Sequence, residues 1–174
     1  NFTFTIDENG LIKIAEINNP RLTKKDAEIM KVILDNGEEI KCTLNHKFML
    51  RDGTYREAQG LKEGNSLMPT YFRFSTKEED PNIAGYSMIL QPKLNQWDYV
   101  HVLSDEWNLE NSVYARSSGR IRHHINFNKL NNNPDNMKRI GWKDHWQVHY
   151  KLTSAKHKSS PEYRFALANG RKKF

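Results

Sequence analysis

The chain has 174 residues, 37% of them hydrophobic and 28% charged, and a formal net charge of +6. It contains no run of about 18 apolar residues that could span a bilayer and no segment resembling a signal peptide, so we expect no membrane association. With Cys42 as its one cysteine, the sequence excludes an internal disulfide and a cysteine-rich metal site, and we expect a reducing, cytoplasmic setting.

The positive charge is concentrated in the last third of the chain. Residues 1–115 carry 13 Lys and Arg against 18 Asp and Glu, whereas residues 116–174 carry 14 against 3. A cationic surface attracts nucleic acid because neutralising the phosphates releases condensed counterions. We therefore expect a polyanion to bind the last third, although a merely solvated charged face would have the same composition.

The first seventy residues predict short strands joined by tight turns. The clearest hairpin spans residues 28–41, and its turn contains Asn36 and Gly37. An Asn-Gly pair supplies the positive φ angles that a two-residue hairpin turn requires. A second turn is predicted at Asp52 and Gly53. This half is therefore expected to be β-rich, without a long helix.

A short motif in this half resembles part of an intein (Hint) domain. Thr43-Leu44-Asn45-His46 is similar to the Thr-x-x-His element that assists the first acyl shift of protein splicing. Because the sequence begins with Asn1 and ends with Phe174, without the terminal residues that splicing uses, we expect no splicing in cis by this chain. The resemblance therefore implies a partial Hint-like domain that does not splice, in which His46 is structural or a remnant.

Residues 71–83 are predicted to be a linker, because they are polar, charged and interrupted by proline. Beyond them, residues 86–90 and 97–103 favour strand and strand-to-helix structure, and a short helix is expected from Ser104, its N-cap, to Asn111. The predicted organisation is a β-rich domain over 1–70, the linker over 71–83, a second domain over 84–155 and a basic C-terminal tail over 156–174.

Four of the seven histidines lie between residues 123 and 149. Alternation before His123 predicts a strand, and neighbouring strand residues point to opposite faces, so His123 and His124 are expected to have different roles. From about residue 142 the pattern is helical, which places His145 and His149 on one face. His123, His145 and His149 are therefore candidate ligands of one divalent metal, and His124 is left as a candidate general base.

This set of residues suits phosphodiester hydrolysis. The transition state accumulates charge that a cation stabilises, and the attacking water needs a base. A neutral imidazole, with an ordinary pKa near 6.5, can deprotonate water at cellular pH. We expect one ion, magnesium or manganese for catalysis, with zinc as the other candidate.

The stretch from His123 to His149 resembles the HNH, or ββα-metal, nuclease motif. The resemblance implies that His123 and His145 bind the metal, that His124 is the general base, and that Asn136 organises the loop. His149 is a candidate third ligand. It implies an α+β fold, with a β-rich partial Hint-like domain followed by a small ββα-metal nuclease domain. Asn126 departs from the motif, where Asp is expected.

Taken together, the two resemblances imply a site-specific, intein-associated homing endonuclease of a bacterial or phage-infected cell. Its expected partner is double-stranded DNA, and a homodimer is left open. Trp142 and Trp146 are interpreted as core residues rather than as stacking surfaces. Seven cations around the cluster are predicted to contact phosphates: Arg116, Arg120, Arg122, Lys129, Lys138, Arg139 and Lys143.

A second interpretation is a protein without catalysis. Three or four histidines could hold zinc for folding alone, in an intein-derived module that binds DNA or is stabilised by zinc. Against it, closed structural zinc sites usually include cysteine, and Cys42 is distant in sequence.

Overall fold

The computed structural model describes residues 1–171 and divides the chain into two compact units, residues 1–98 and 99–174. Within the described part, the fold is α+β, with eleven strands in five small sheets and three α-helices. None of the described helices is both long and apolar enough to cross a membrane. Residues 172–174 of the predicted basic tail lie outside the described part.

The regular secondary structure of the first unit is almost entirely short strands, joined by turns and loops. They are β1 (Phe2–Ile6), β2 (Ile12–Glu16), β3 (Ile29–Ile33), β4 (Glu39–Thr43), β5 (Lys47–Met49), β6 (Tyr55–Glu57), β7 (Phe72–Phe74), β8 (Ser87–Gln91) and β9 (Gln96–Tyr99). Three antiparallel hairpins, β1–β2, β3–β4 and β5–β6, precede a three-stranded sheet of order β7-β8-β9. The β-rich character predicted for this half is present in the structure.

The predicted hairpin forms, but its turn differs from the expected two-residue type. Leu34 N–H donates to the Glu38 carbonyl at 2.9 Å, so three residues connect the strands. Gly37 alone in this turn has a positive φ, of 85°. Asn36 instead accepts a hydrogen bond from Glu38 N–H at 3.0 Å through its side chain. The glycine is thus needed for its backbone angle, whereas the asparagine is needed for its amide.

The first unit is held together by a small apolar core and one buried amide. Ile12, Met88 and Ile89 are buried. The Gln91 side chain accepts from Ile12 N–H at 2.7 Å and donates to the Ile12 carbonyl at 3.0 Å. This pair of bonds imitates a strand ladder, so β2 is fixed to β8 without belonging to the same sheet. The predicted linker 71–83 contains β7 and lies within this unit, and the division into 1–70, 84–155 and 156–174 stays a prediction.

The second unit is built of α1 (Val100–Glu110), β10 (Ile121–His124), β11 (Met137–Ile140), α2 (Trp142–Ser159) and α3 (Pro161–Arg171). β10 and β11 pair antiparallel, with His123 opposite Lys138 and His124 opposite Met137. α1 begins four residues before the predicted start, so Ser104 is not an N-cap. It is fully buried in the helix, and its hydroxyl proton is shared between the Val100 and Asn132 carbonyls.

A buried carboxylate anchors the hairpin to α1. Asp105 is fully buried and binds the Arg139 guanidinium in a two-pronged pair, at 2.7 Å to Nε and 2.5 Å to Nη2. Arg122 Nε and the Tyr114 hydroxyl also donate to it, at 2.7 and 3.0 Å. Burial alone would raise the pKa of Asp105, but these donors outweigh it and lower the pKa. The helix and both strands of the hairpin therefore share one anionic centre.

Gly119 is required by a close backbone approach at the end of the same hairpin. A Cβ at this position would lie 2.1 Å from the Ile140 carbonyl carbon and 2.6 Å from Gly141 N. We expect Gly119→Ala to lower the free energy of unfolding by about 2 to 3 kcal/mol, since neither neighbour is a movable side chain. Gly141→Ala, whose Cβ would meet only the Asp144 carboxylate at 3.5 Å, is expected to cost less than about 1 kcal/mol. Urea denaturation of both variants checks this, and equal losses would contradict the explanation.

Candidate metal centre

Three imidazoles of the second unit converge. Each of His123, His145 and His149 offers one ring nitrogen, and these nitrogens all lie within 4.8 Å of one another. Three nitrogens that bind one ion tetrahedrally, each at about 2.1 Å, lie about 3.4 Å apart, so binding would draw the rings together by up to roughly 1.4 Å. The cluster runs from the buried His123 to the exposed His149, so one side faces solvent.

Local structure explains the convergence. His123 lies on β10, and the four-residue spacing of His145 and His149 places both on one face of α2. The ring centroids are 5.4 Å apart for His123 and His145, 5.5 Å for His123 and His149, and 4.4 Å for the helical pair. The Phe127 ring packs edge-on to His123 and His149, at 5.2 and 5.3 Å, and forms an apolar wall beside the cluster.

Two of the three imidazoles are poised in the neutral form that a metal needs. Burial, reinforced by His145 and His149, lowers the pKa of His123. Burial, reinforced by His149, also lowers the pKa of His145. Protons therefore compete with a metal for these two side chains only at a pH below the ordinary histidine value of about 6.5.

His124 lies on the other face of β10, as strand geometry requires. It is buried, its Nε2 is 3.0 Å from the Asn132 side-chain oxygen, and its ring centroid is 5.8 Å from that of His101 on α1. It does not belong to the group of converging imidazoles. The role of general base stays a prediction for this residue.

Asn136 organises the loop between the two strands. Its side chain accepts from Asn126 N–H at 3.0 Å and donates to the Asn126 side-chain oxygen at 2.9 Å and to the Asn131 carbonyl at 2.7 Å. Its contact is thus with the loop and not with His124, whose ring is positioned by Asn132. Asn126, which departs from the expected Asp, is a direct partner in this pairing.

The seven predicted phosphate contacts fall into two groups. Arg139 is buried against Asp105, and Arg122 donates to the same carboxylate, so both contribute to the structure of the hairpin. Moving the Arg139 guanidinium to a phosphate would leave a buried carboxylate with fewer partners. The other five side chains are exposed, namely Arg116, Arg120, Lys129, Lys138 and Lys143.

The interpretation of Trp142 and Trp146 as core residues is wrong. Trp142 is 74% exposed and Trp146 is 58% exposed. Helix α2 contains no buried residue in the described part of the chain. The expectation treated a large ring as evidence of burial, but no element covers this side of the helix among the residues that the structure describes.

This chain is similar to a segment of the B subunit of DNA gyrase from Synechocystis sp. (strain ATCC 27184 / PCC 6803 / Kazusa). The two are 43% identical over 155 residues, which is 88% of this chain and 14% of the gyrase protein. The chain therefore spans about one seventh of that protein. No protein-family model matches the chain, and no solved structure matches it.

This similarity contradicts the predicted identity of an HNH homing endonuclease with a partial Hint region. The relative carries the name of a gyrase protein, and no nuclease or intein family model matches. The predicted activity, site-specific DNA cleavage by a metal-dependent HNH endonuclease, is withdrawn with it, as is the alternative of an intein-derived module. The error has a physical reason, because a few histidines on a strand and a helix give a metal-binding geometry without fixing a family or a reaction.

His101 is expected to make stability depend on pH. Burial, helped by His124 and Arg122, lowers its pKa to about 4. Between pH 6.5 and about 4 the unfolded chain binds a proton here that the folded protein does not. The free energy of unfolding therefore decreases by roughly 2 to 3 kcal/mol as the pH is lowered through that window.

Urea denaturation at pH 7, 5.5 and 4.5 checks the effect of His101. The other imidazoles with a lowered pKa contribute with the same sign, so the comparison that matters is between the parent protein and His101→Leu. The variant is expected to lose less stability between pH 7 and 4.5. Equal losses in the two proteins would contradict the assignment.

Proposed function

We propose that the second unit binds one divalent metal ion through His123, His145 and His149 and binds duplex DNA through its cationic surface. In this proposal the unit is a DNA-contacting segment of a longer, topoisomerase-related protein. The observation that carries the proposal is the convergence of the three imidazole nitrogens within 4.8 Å. The remaining support comes from charge and from similarity.

The geometry favours an ion that keeps open coordination positions. Closed structural zinc sites have four protein ligands, whereas three imidazoles leave at least one position for water or another oxygen. His149, the most exposed of the three, places that position toward solvent. An oxygen of a DNA phosphate is a suitable ligand there, because it is anionic and a hard donor.

The ligand type also ranks the candidate ions. Imidazole nitrogen suits zinc and neighbouring first-row ions, whereas magnesium prefers oxygen ligands. We therefore expect zinc to bind more tightly than manganese, and manganese more tightly than magnesium.

The DNA part of the proposal is supported by charge. Residues 99–174 carry 14 Lys and Arg against 6 Asp and Glu. Among them, Lys138 lies directly opposite His123 on the paired strand, and Lys143 lies in the first turn of α2. The relative is by name part of a DNA enzyme, DNA gyrase. Because the chain spans only about 14% of that protein, we do not propose gyrase activity for it.

The proposal is tested by measuring duplex DNA binding with the whole chain. Fluorescence anisotropy of a labelled 20-base-pair duplex is recorded at several salt concentrations, with zinc or with a chelator. We expect binding that weakens steeply with salt, as counterion release requires, and that is stronger when zinc is present. Lys138→Ala and Lys143→Ala should each reduce the salt slope by about one.

Two outcomes would overturn the proposal. The first is absence of duplex binding by a folded, zinc-loaded chain at low salt. The second is a combination of two results. Chelation unfolds the second unit, as detected by circular dichroism, and the affinity for duplex DNA is the same without zinc once another ion has restored folding. In that case the metal would be purely structural.

A further inference from the structure

Helix α2 carries an exposed stripe of three aromatic rings beside the metal centre. Trp142, Trp146 and Tyr150 follow one another at four-residue spacing, and their exposed fractions are 74%, 58% and 57%. The planes of the Trp146 and Tyr150 rings are inclined by only 10°, with centroids 5.1 Å apart. At its first residue the stripe reaches the metal centre, since the Trp142 ring is 6.1 Å from that of His145.

We infer that this aromatic stripe is a platform on which unpaired bases of single-stranded DNA stack. The inference rests on the proposed function and goes beyond it, because it adds single-stranded DNA, bound on α2, to the duplex bound by the cationic surface. Trp146 and Tyr150 stack on each other, so a base would extend this stack at an outer face or lie on the Trp142 ring. A base has a free face only where it is not paired and stacked within a duplex.

The charge on the same helix is complementary to this ligand. α2 carries the lysines Lys143, Lys151, Lys156 and Lys158 against a single acid, Asp144. Proteins that hold single strands combine a cationic track for the phosphates with aromatic side chains for the bases, and both features occur here on one element. A strand whose bases lie on the stripe would carry its phosphates past the open side of the metal centre.

Other aromatic side chains of this unit are as exposed as the stripe. The stripe differs from them in the regular spacing and stacking of its rings and in the lysines on the same helix. Phe165 on α3 is as exposed, at 71%, yet no ring contact connects it to the stripe among the described residues. It therefore serves as a matched control, an exposed aromatic side chain of the same unit that lies outside the proposed platform.

The experiment uses the full chain and a fluorescein-labelled 20-nucleotide oligo(dT), with anisotropy as the readout. We expect Trp146→Ala to weaken oligo(dT) binding by about 10-fold, Trp146→Phe to weaken it less, and Phe165→Ala to leave it unchanged. Affinities for zinc and for the 20-base-pair duplex are expected to stay the same in all three variants, which also shows that they are folded.

The outcomes separate the two proposals. A parent protein that binds the duplex but not oligo(dT), or a Trp146→Ala variant that binds oligo(dT) as tightly as the parent, overturns the stacking platform and leaves the proposed function intact. Binding of neither DNA overturns both. Self-association that Trp146→Ala abolishes, measured by sedimentation without DNA, would instead identify the stripe as an interface between copies of the chain.

Discussion

Replacing Asp105 by asparagine is expected to lower the free energy of unfolding of the second unit by about 3 to 5 kcal/mol. The substitution preserves shape but removes the charge that pairs with two arginines. Asp105 is 0% exposed and Arg139 is 8% exposed, so the guanidinium would remain buried without its anion. Arg122, whose side chain is 34% exposed, can turn toward water and should suffer less.

Urea denaturation followed by circular dichroism measures this loss, and amide hydrogen exchange in β10 and β11 locates it. The matched control is Glu39→Gln, which removes a carboxylate from a pair with Lys31 in which both side chains are 46% exposed. That change is expected to cost at most about 1 kcal/mol. A similar cost for the two substitutions would show that Asp105 does not anchor the hairpin.

The Asp105 contribution also has its own pH window. Because the folded-state pKa is lowered, the stabilisation is fully present above the unfolded value of 3.8 and is lost as pH falls through the lower, folded pKa. The loss associated with His101 occurs at higher pH, between 6.5 and about 4. The two groups can therefore be distinguished in one pH series.

The second large effect is expected for His123→Ala. Altering a side chain that only hydrogen-bonds to a metal ligand typically weakens metal binding roughly 10- to 100-fold. Loss of a ligand itself should weaken zinc binding by more than this. His123 is the ligand on β10, whereas the other two lie on α2, so the variant keeps only the helical pair. Isothermal titration with zinc at pH 7 measures the change.

His157→Ala is the control for this experiment, because His157 is an exposed imidazole of the same helix that does not belong to the converging group. It is expected to leave the zinc affinity unchanged. The lowered pKa values of His123 and His145 keep these two ligands free of protons to a lower pH than an ordinary histidine. Equal zinc affinities of the parent and His123→Ala would exclude the proposed centre.

Local sequence pattern predicted the parts of the candidate site that depend on local geometry. Strand alternation separated His123 from His124, and helical spacing placed His145 with His149, because both follow from backbone periodicity. The pattern could not predict Asp105. Its partners Arg122 and Arg139 lie 17 and 34 residues away, and only the folded hairpin brings them to α1.

The exposure of Trp142 and Trp146 likewise could not be predicted from the sequence. Trp142 and Trp146 have the spacing of an apolar helix face, which usually packs against another element. Whether such an element exists is a tertiary fact, and in the described part of the chain α2 buries no side chain. The family assignment failed for a related reason, since a short constellation of histidines and one asparagine carries much less information than 155 aligned residues.

The lack of buried side chains on the described α2 gives the proposed ion a mechanical role. An ion bound by His123 and by the helical pair would fasten α2 to β10, at a place where apolar packing contributes little. The lifetime of the docked helix would then depend on the metal concentration. A chelator would both remove the ion and weaken the attachment of α2 to β10. Amide protons of α2 would report this directly, exchanging faster as the ion is withdrawn while those of α1 keep their rate.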